Sequence, residues 1–185
     1  MTEVESASRL MSRGLARLNG LSGDDAAVEL ARCCGSEAWV ATMMRLRPYA
    51  TREDVLAAAN AAADGLTRED WLEAFSHHPR LGETALRQRF MGTASWATSE
   101  QSGVRGASDA VIGALAAGNA AYEQRFGHVF LLCATGVGAD AMLAAQRERA
   151  GNDALTELKI AAGEQRKITA LRIDKLLTGL GEALS

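Results

Sequence analysis

This sequence contains little proline and few aromatic residues, and each scarcity narrows the possible folds. Only two prolines occur in 185 residues, and aromatic residues make up 5% of the chain. We also find no clear alternation of apolar and polar residues, so a β-sheet protein would be hard to build from this sequence. Alanine and leucine dominate the composition, which favours helices.

Cysteine is also scarce, and the usual motifs of metal and cofactor sites are absent. The chain has an odd number of cysteines, Cys33, Cys34 and Cys133, and no Cys-x-x-Cys motif. This pattern is typical of reduced thiols and predicts a cytoplasmic protein. The sequence contains no His-Glu-x-x-His motif, phosphate loop or dinucleotide fingerprint, and no serine lies in a Gly-x-Ser-x-Gly turn. We therefore predict neither a metal site nor a cofactor.

The charges and the short apolar runs argue against two kinds of partner, nucleic acids and membranes. The net charge is −3, with 20 basic and 23 acidic residues mixed along the chain. The sequence has no basic stripe with interleaved aromatic residues, so we do not expect nucleic-acid binding. The longest uncharged run, residues 126–139, is shorter than the roughly 20 residues of a membrane span. The first residues lack a basic and then apolar leader, so secretion through a signal peptide is not expected.

The length fits one domain, and the pattern predicts where its helices begin. Residues 1–20 lack strong periodicity, so we expect a loosely ordered segment before a single domain over 21–185. Ser22 and Ser36 can cap helices, and the tetrad Thr-Arg-Glu-Asp precedes two more, at Thr51 and Thr67. Further helices are predicted over 83–90, 111–125, 140–149 and 155–180. The apolar run 128–134 could be a buried strand or a helical turn.

Two of the three histidines lie together at the end of the predicted helix after Thr67. Pro79 disfavours the helical conformation at His78, so the helix should end there and place His78 on a rigid corner. Histidine titrates near neutral pH, and such a residue could transfer a proton. It could instead be a helix cap, because a positive charge near the last carbonyls of a helix is stabilised by the helix dipole.

Three further polar residues complete a possible acid and base set. Glu100 and Gln101 lie in a small polar stretch that could also be an ordinary surface loop. Arg172 falls within the apolar face predicted for the last helix, where it either extends outward to solvent or points inward and pairs with an anion. That face comprises Ile168, Leu171, Ile173, Leu176, Leu177 and Leu180. Together with His78, the three polar residues suit proton chemistry on a small anionic substrate.

Four segments in order, 71–83, 100–103, 119–127 and 167–173, together resemble the 2-oxo-4-hydroxy-4-carboxy-5-ureidoimidazoline (OHCU) decarboxylase family of urate degradation. The resemblance extends from about Leu18 to Leu177. It implies an all-α, single-domain multi-helix bundle, usually a homodimer. It also implies conversion of the anionic ureidoimidazoline into (S)-allantoin and carbon dioxide without a cofactor.

The resemblance also implies roles for individual residues. His78 matches the catalytic histidine, and Glu100, the acidic member of the family's Glu-Gln pair, is expected to be the second catalytic residue. The family's serine three residues before that pair is Ala97 here, so one hydroxyl contact with the substrate is either absent or supplied by Thr98 or Ser99. The remaining matches are substrate-binding positions: Pro79, Gln101, Phe130, Leu131, Leu132, Cys133, Ala134 and Arg172.

Two other readings of the sequence remain open. Because Ala97 replaces a serine, the chain could be a helical module that binds a small anion without turning it over. It could also be an unrelated helical scaffold that uses its apolar faces to bind partner helices.

Overall fold

A computed structural model of the chain describes residues 3–91 and 102–183 and, within them, the side chains of 7–90 and 109–183. All regular secondary structure in these ranges is helical, which confirms the predicted all-α fold. The helices are α1 Glu3–Gly20, α2 Gly23–Ala31, α3 Glu37–Arg45, α4 Arg52–Asp64, α5 Arg68–Ser76, α6 Glu83–Met91, α7 Ser102–Phe126, α8 Ala139–Arg149 and α9 Ala154–Glu182.

The four predicted helix caps are all present. The hydroxyls of Ser22 and Ser36 accept hydrogen bonds from backbone amides in the first turns of α2 and α3. Thr51 and Thr67 each form a reciprocal capping box with the aspartate three residues later. Both tetrads therefore work as helix starts, because each satisfies two backbone amides that have no partner within the helix.

The contacts of the structure group the chain into two compact units, a finer division than the predicted single domain. The first unit comprises Met1–His77 with Ala162–Ser185, and the second comprises His78–Ala161. In the first unit α3 packs against α2, α4 and α5. Its core includes Trp39, Phe75 and Leu177.

The expectation of a loosely ordered start is wrong for Glu3–Gly20, which form α1. Leu15 and Leu18 of this helix are buried. A β-carbon added at Gly14 would lie 1.7 Å from the carbonyl oxygen of Leu177 in α9. The glycine thus lets the two helix backbones approach closely, beside an apolar face on which Met11, Leu15 and Leu18 are spaced four and three residues apart.

The apolar face predicted for the last helix is largely present but includes one error. Ile173 and Leu177 are fully buried, whereas Leu171 is 38% exposed. The neighbouring Asp174 accepts two hydrogen bonds of 2.7 Å from Arg52 of α4. Leu171 therefore lies outside the buried stripe of α9 despite its apolar character.

In the second unit α7 packs against α6 and α8 around a small apolar core. The buried members of this core are Leu86, Ile112, Leu115, Met142 and Leu143. Helix α7 begins at Ser102, before the predicted start, and ends at Phe126. Gly127 follows with a φ of 76°, a left-handed conformation that glycine adopts without steric cost at the end of a helix.

Residues 128–134 form neither the strand nor the helical turn that the apolar run allowed. This segment and the turn after it connect α7 to α8 in irregular backbone. None of the helices within the described ranges combines the length and apolar character that a bilayer span requires.

The contact between α1 and α9 predicts the effect of a substitution at Gly14. Gly14→Ala should lower the free energy of unfolding by about 1–3 kcal/mol, because the new methyl group would meet the Leu177 backbone and force the helices apart. Thermal unfolding followed by circular dichroism measures this loss.

Gly20→Ala is the matched control in the same helix. A β-carbon at Gly20 would meet no atom within 4 Å, so this variant should be as stable as the parent or slightly more stable. Equal stability of the two variants would contradict close packing at Gly14.

Candidate functional site

The end of α5 places His78 on the corner that the sequence predicted. Helix α5 ends at Ser76, and His77 is its C-cap residue with φ −79° and ψ 0°. His78 follows in a bend and is half-buried, and Pro79 after it is exposed. The helix therefore ends before proline, as the restricted conformation of the preceding residue requires.

The segment after His78 lines a cavity of about 200 Å³ in the second unit. Pro79 contributes to this cavity together with Phe130, so the structure brings together two of the predicted substrate-binding residues. The Asn119 amide of α7 donates a 2.8 Å hydrogen bond to the Leu81 carbonyl, and Asn119 in turn accepts one of 2.5 Å from Gln146. These bonds tie the segment after Pro79 to α7.

An ion pair borders the same cavity. Arg80 donates hydrogen bonds of 2.6–3.0 Å to both carboxylate oxygens of Glu123. These bonds lower the pKa of Glu123 and raise that of Arg80. Both cavity charges are thus engaged with each other, and the remaining lining is small, amide or apolar.

The predicted binding segment at 130–134 is held by two arginines. Arg149 donates a 2.6 Å hydrogen bond to the Leu131 carbonyl, and Arg89 donates one of 2.9 Å to the Ala134 carbonyl. Leu131 is buried, whereas Leu132 and Cys133 are half-buried. The segment is therefore fixed through its backbone although it belongs to no regular element.

A buried carboxylate, which sequence reasoning missed, lies behind this segment. Glu157 is fully buried and accepts hydrogen bonds of 2.9 and 2.6 Å from Arg149, one of 2.7 Å from Asn152 and one from the Tyr122 hydroxyl. The pKa of Tyr122 is raised mainly by burial and to a smaller extent by its hydrogen bond to Glu157. The phenol therefore stays protonated and donates to the carboxylate.

The sequence contained a signal for this network. The buried positions of α8 are Met142, Leu143, Gln146 and Arg149. Their spacing of three and four residues places two polar side chains on the helix face that an apolar stripe would occupy. A charged residue on a buried face requires a buried partner, which here is Glu157.

Arg172 lines a different cavity, of about 840 Å³, in the first unit. Arg32 and Lys175 also line it, opposite the single carboxylate of Glu29, so cations outnumber anions in its lining. The Nη1 atom of Arg172 donates weak hydrogen bonds of 3.4 Å to the backbone carbonyls of Arg32 and Cys33. Arg172 therefore points toward the end of α2 and the cavity beside it, and its pairing with an anion stays a prediction.

The His77 ring packs closely on Gly35 in the first unit. A β-carbon at Gly35 would lie 2.5 Å from that ring.

Cys33 also lines the cavity that contains Arg172, and burial raises the pKa of its thiol to about 12. The Cys33 sulfur is therefore protonated at neutral pH and is a poor nucleophile.

Five predicted site residues lie outside the described residues: Ala97, Thr98, Ser99, Glu100 and Gln101. Their meeting with His78 stays a prediction. Within the described ranges no three histidine, cysteine, aspartate or glutamate side chains group as metal ligands.

Comparison with known proteins identifies relatives over most of the chain. Residues 19–174 match the family model described as OHCU decarboxylase. The uric acid degradation bifunctional protein TTL of Arabidopsis thaliana is 36% identical over 83% of this chain, which spans only 48% of that longer protein. The 2-oxo-4-hydroxy-4-carboxy-5-ureidoimidazoline decarboxylase of Haloferax volcanii is 29% identical over 73% of this chain and 79% of its own length.

Solved structures agree with these matches. A crystal structure of OHCU decarboxylase in the presence of (S)-allantoin superposes with a TM-score of 0.64 and 32% identity, covering 81% of this chain and 97% of that one. An (S)-allantoin synthase, at 19% identity and a TM-score of 0.63, covers 88% of this chain and 53% of its own and shares the fold. From the family match over residues 19–174, this chain belongs to the OHCU decarboxylase family.

Proposed function

We propose that this protein is a carboxy-lyase of urate degradation, which converts OHCU to (S)-allantoin and carbon dioxide. The observation that carries the proposal is the family match over residues 19–174, which includes the corner formed by His78 and Pro79. The ordered corner and the cavity beside Pro79 add geometric support.

The substrate itself provides an electron sink for this reaction. Loss of carbon dioxide leaves an electron pair on the ring carbon that carried the carboxylate. The adjacent ring imine accepts that pair, so the carbon bearing the ureido group becomes nucleophilic and then takes up a proton. The hydroxyl on the decarboxylated carbon releases its proton as it becomes a carbonyl, and the ring nitrogen that accepted the pair takes up a proton. One proton is therefore consumed overall when the carboxylate leaves as carbon dioxide, and the allantoin formed is neutral.

The protein would then position the ring and control one proton. We assign proton transfer to His78, because its imidazole lies on a corner whose backbone is restricted by Pro79. Glu100 would orient the histidine or the substrate hydroxyl. Gln101 and the backbone near Leu131 would bind the ureido and ring carbonyl groups, and Arg172 would offset the carboxylate charge.

The proposal also includes an oligomeric state and a cellular location. The family resemblance supports a homodimer, and light scattering coupled to gel filtration would test it by showing twice the chain mass of 19.6 kDa. The reduced state expected of the three cysteines supports a cytoplasmic location.

The role of His78 predicts a specific loss of catalysis. With OHCU generated from urate by the two preceding enzymes, His78→Ala should lower kcat by about 10²–10⁴-fold, the usual contribution of a general acid or base. Circular dichroism of the optically active allantoin measures the rate.

His77→Ala is the comparison at the neighbouring imidazole. Because it leaves the proposed proton donor in place, its kcat should fall far less than that of His78→Ala. Equal losses in the two variants would contradict the assignment to His78. A wild-type protein that leaves the slow racemic decay unchanged would favour a non-catalytic binding module instead.

The role of Arg172 predicts a change in KM. Arg172→Met should raise KM by about 10- to 100-fold, because a hydrogen bond to a charged group contributes roughly 1.5–3 kcal/mol. Steady-state kinetics at fixed ionic strength measures the change.

Lys175→Met removes a second cation from the same cavity. Since a solvated lysine acts only through a screened field, its loss should raise KM much less and only at low salt. A similar, salt-sensitive increase in both variants would contradict a direct contact between Arg172 and the substrate.

A further inference from the structure

The buried ion pair between Arg149 and Glu157 needs an explanation beyond stability. Only 8% of the Arg149 side chain and none of the Glu157 side chain is exposed. Burying two charges costs several kcal/mol per ion, and apolar residues of similar volume often replace such a pair with no loss of stability. The geometry of the pair indicates what else it does.

All three guanidinium nitrogens of Arg149 are engaged, in two directions. Nε and Nη2 donate to Glu157, at 2.9 and 2.6 Å, and Nη1 donates to the Leu131 carbonyl at 2.6 Å. The guanidinium is planar and rigid, so the position of the carboxylate determines where the Leu131 carbonyl lies.

The same guanidinium also contacts the Phe130 side chain. Its central carbon lies 4.6 Å from the centre of the Phe130 ring, and Tyr122 packs edge-on against that ring with the centroids 5.2 Å apart. Phe130 in turn lines the cavity that contains Pro79. One buried group therefore holds a cavity side chain and the backbone immediately after it.

The orientation of the Leu131 carbonyl has a consequence for the next amide. A trans peptide is planar, with its C=O and N–H directed to opposite sides. Because the Leu131 carbonyl points at Arg149, the Leu132 N–H points away from the buried pair. This amide lies in the segment 130–134, to which the proposed function assigns backbone contacts with the substrate.

We infer that Arg149 and Glu157 are positioning residues for substrate binding, which hold Phe130 and direct the Leu132 amide toward the ligand. The inference rests on the proposed function only in naming that ligand. Tyr122 and Asn152 support the pair, because both donate to the Glu157 carboxylate. The Tyr122 hydroxyl also accepts a 3.3 Å hydrogen bond from Arg149 itself.

Arg149→Lys tests this positioning role. Lysine keeps a positive charge near Glu157, but a single ammonium cannot reproduce the planar fork that links the carboxylate to the Leu131 carbonyl. We expect faster amide hydrogen exchange at residues 130–134 and a Kd for (S)-allantoin, measured by titration calorimetry, that rises by about 10- to 100-fold. The KM for OHCU should rise in parallel.

Arg52→Lys is the matched control. Arg52 forms a two-pronged pair with Asp174 in the first unit, with both bonds at 2.7 Å. This variant should lose a similar hydrogen-bond geometry and some thermal stability, yet leave exchange at 130–134 and the Kd for (S)-allantoin unchanged. A general loss of stability would instead change both variants alike and overturn the inference.

Tyr122→Phe provides a milder variant if Arg149→Lys does not fold. It removes one donor to Glu157 without changing any charge, and it should raise exchange at 130–134 by a smaller factor. Unchanged exchange in a folded variant overturns the positioning role, whatever the activity. Faster exchange with no turnover of OHCU by the wild-type protein keeps the positioning role and overturns the proposed function.

Discussion

The buried carboxylate of Glu157 is the constraint on which the second unit depends. A charge without solvent must be fully hydrogen-bonded, and here Arg149, Tyr122 and Asn152 satisfy it. These three donors come from α8, from α7 and from the turn before α9. Their convergence on one group links α7 and α8 to the start of α9, in addition to the apolar core that α7 and α8 share.

The same constraint explains how irregular backbone can line a cavity. Residues 128–138 connect α7 to α8 outside any helix, so their buried carbonyls need partners from elsewhere. Arg149 and Arg89 supply two of those partners, at Leu131 and Ala134. Long arginine side chains thus replace the hydrogen-bond ladder that a helix or strand would have provided.

Helix ends perform the corresponding task at the His-Pro corner. The capping box at Thr67 determines where α5 starts, and Pro79 limits where it can end. His78 consequently leaves the helix at a defined point, while Asn119 and Arg80 tie the following segment to α7. The corner is positioned by its own sequence and by a few side-chain bonds from one neighbouring helix.

Most of the helices could be predicted because their signals are local. Ser22, Ser36 and the two threonines act on amides within three residues, so the caps were predictable without knowledge of any tertiary contact. Helix α1 was missed although Met11, Leu15 and Leu18 have helical spacing, because small and charged residues are interspersed among them. Its contact with α9 was not predictable, since the significance of Gly14 depends on a close approach to Leu177. Leu171 was misassigned because helical periodicity does not define the edge of a buried face.

Local patterns in the sequence suffice for the all-α class, the four capped helix starts, the end of α5 near His78 and the family resemblance, because each depends on neighbouring residues or on motifs in order. Only the tertiary structure placed Phe130 and Pro79 on one cavity and Arg172 on another. It alone paired Arg149 with Glu157. Side chains from different helices meet through packing, and the distances between them are not encoded in any single stretch of the chain.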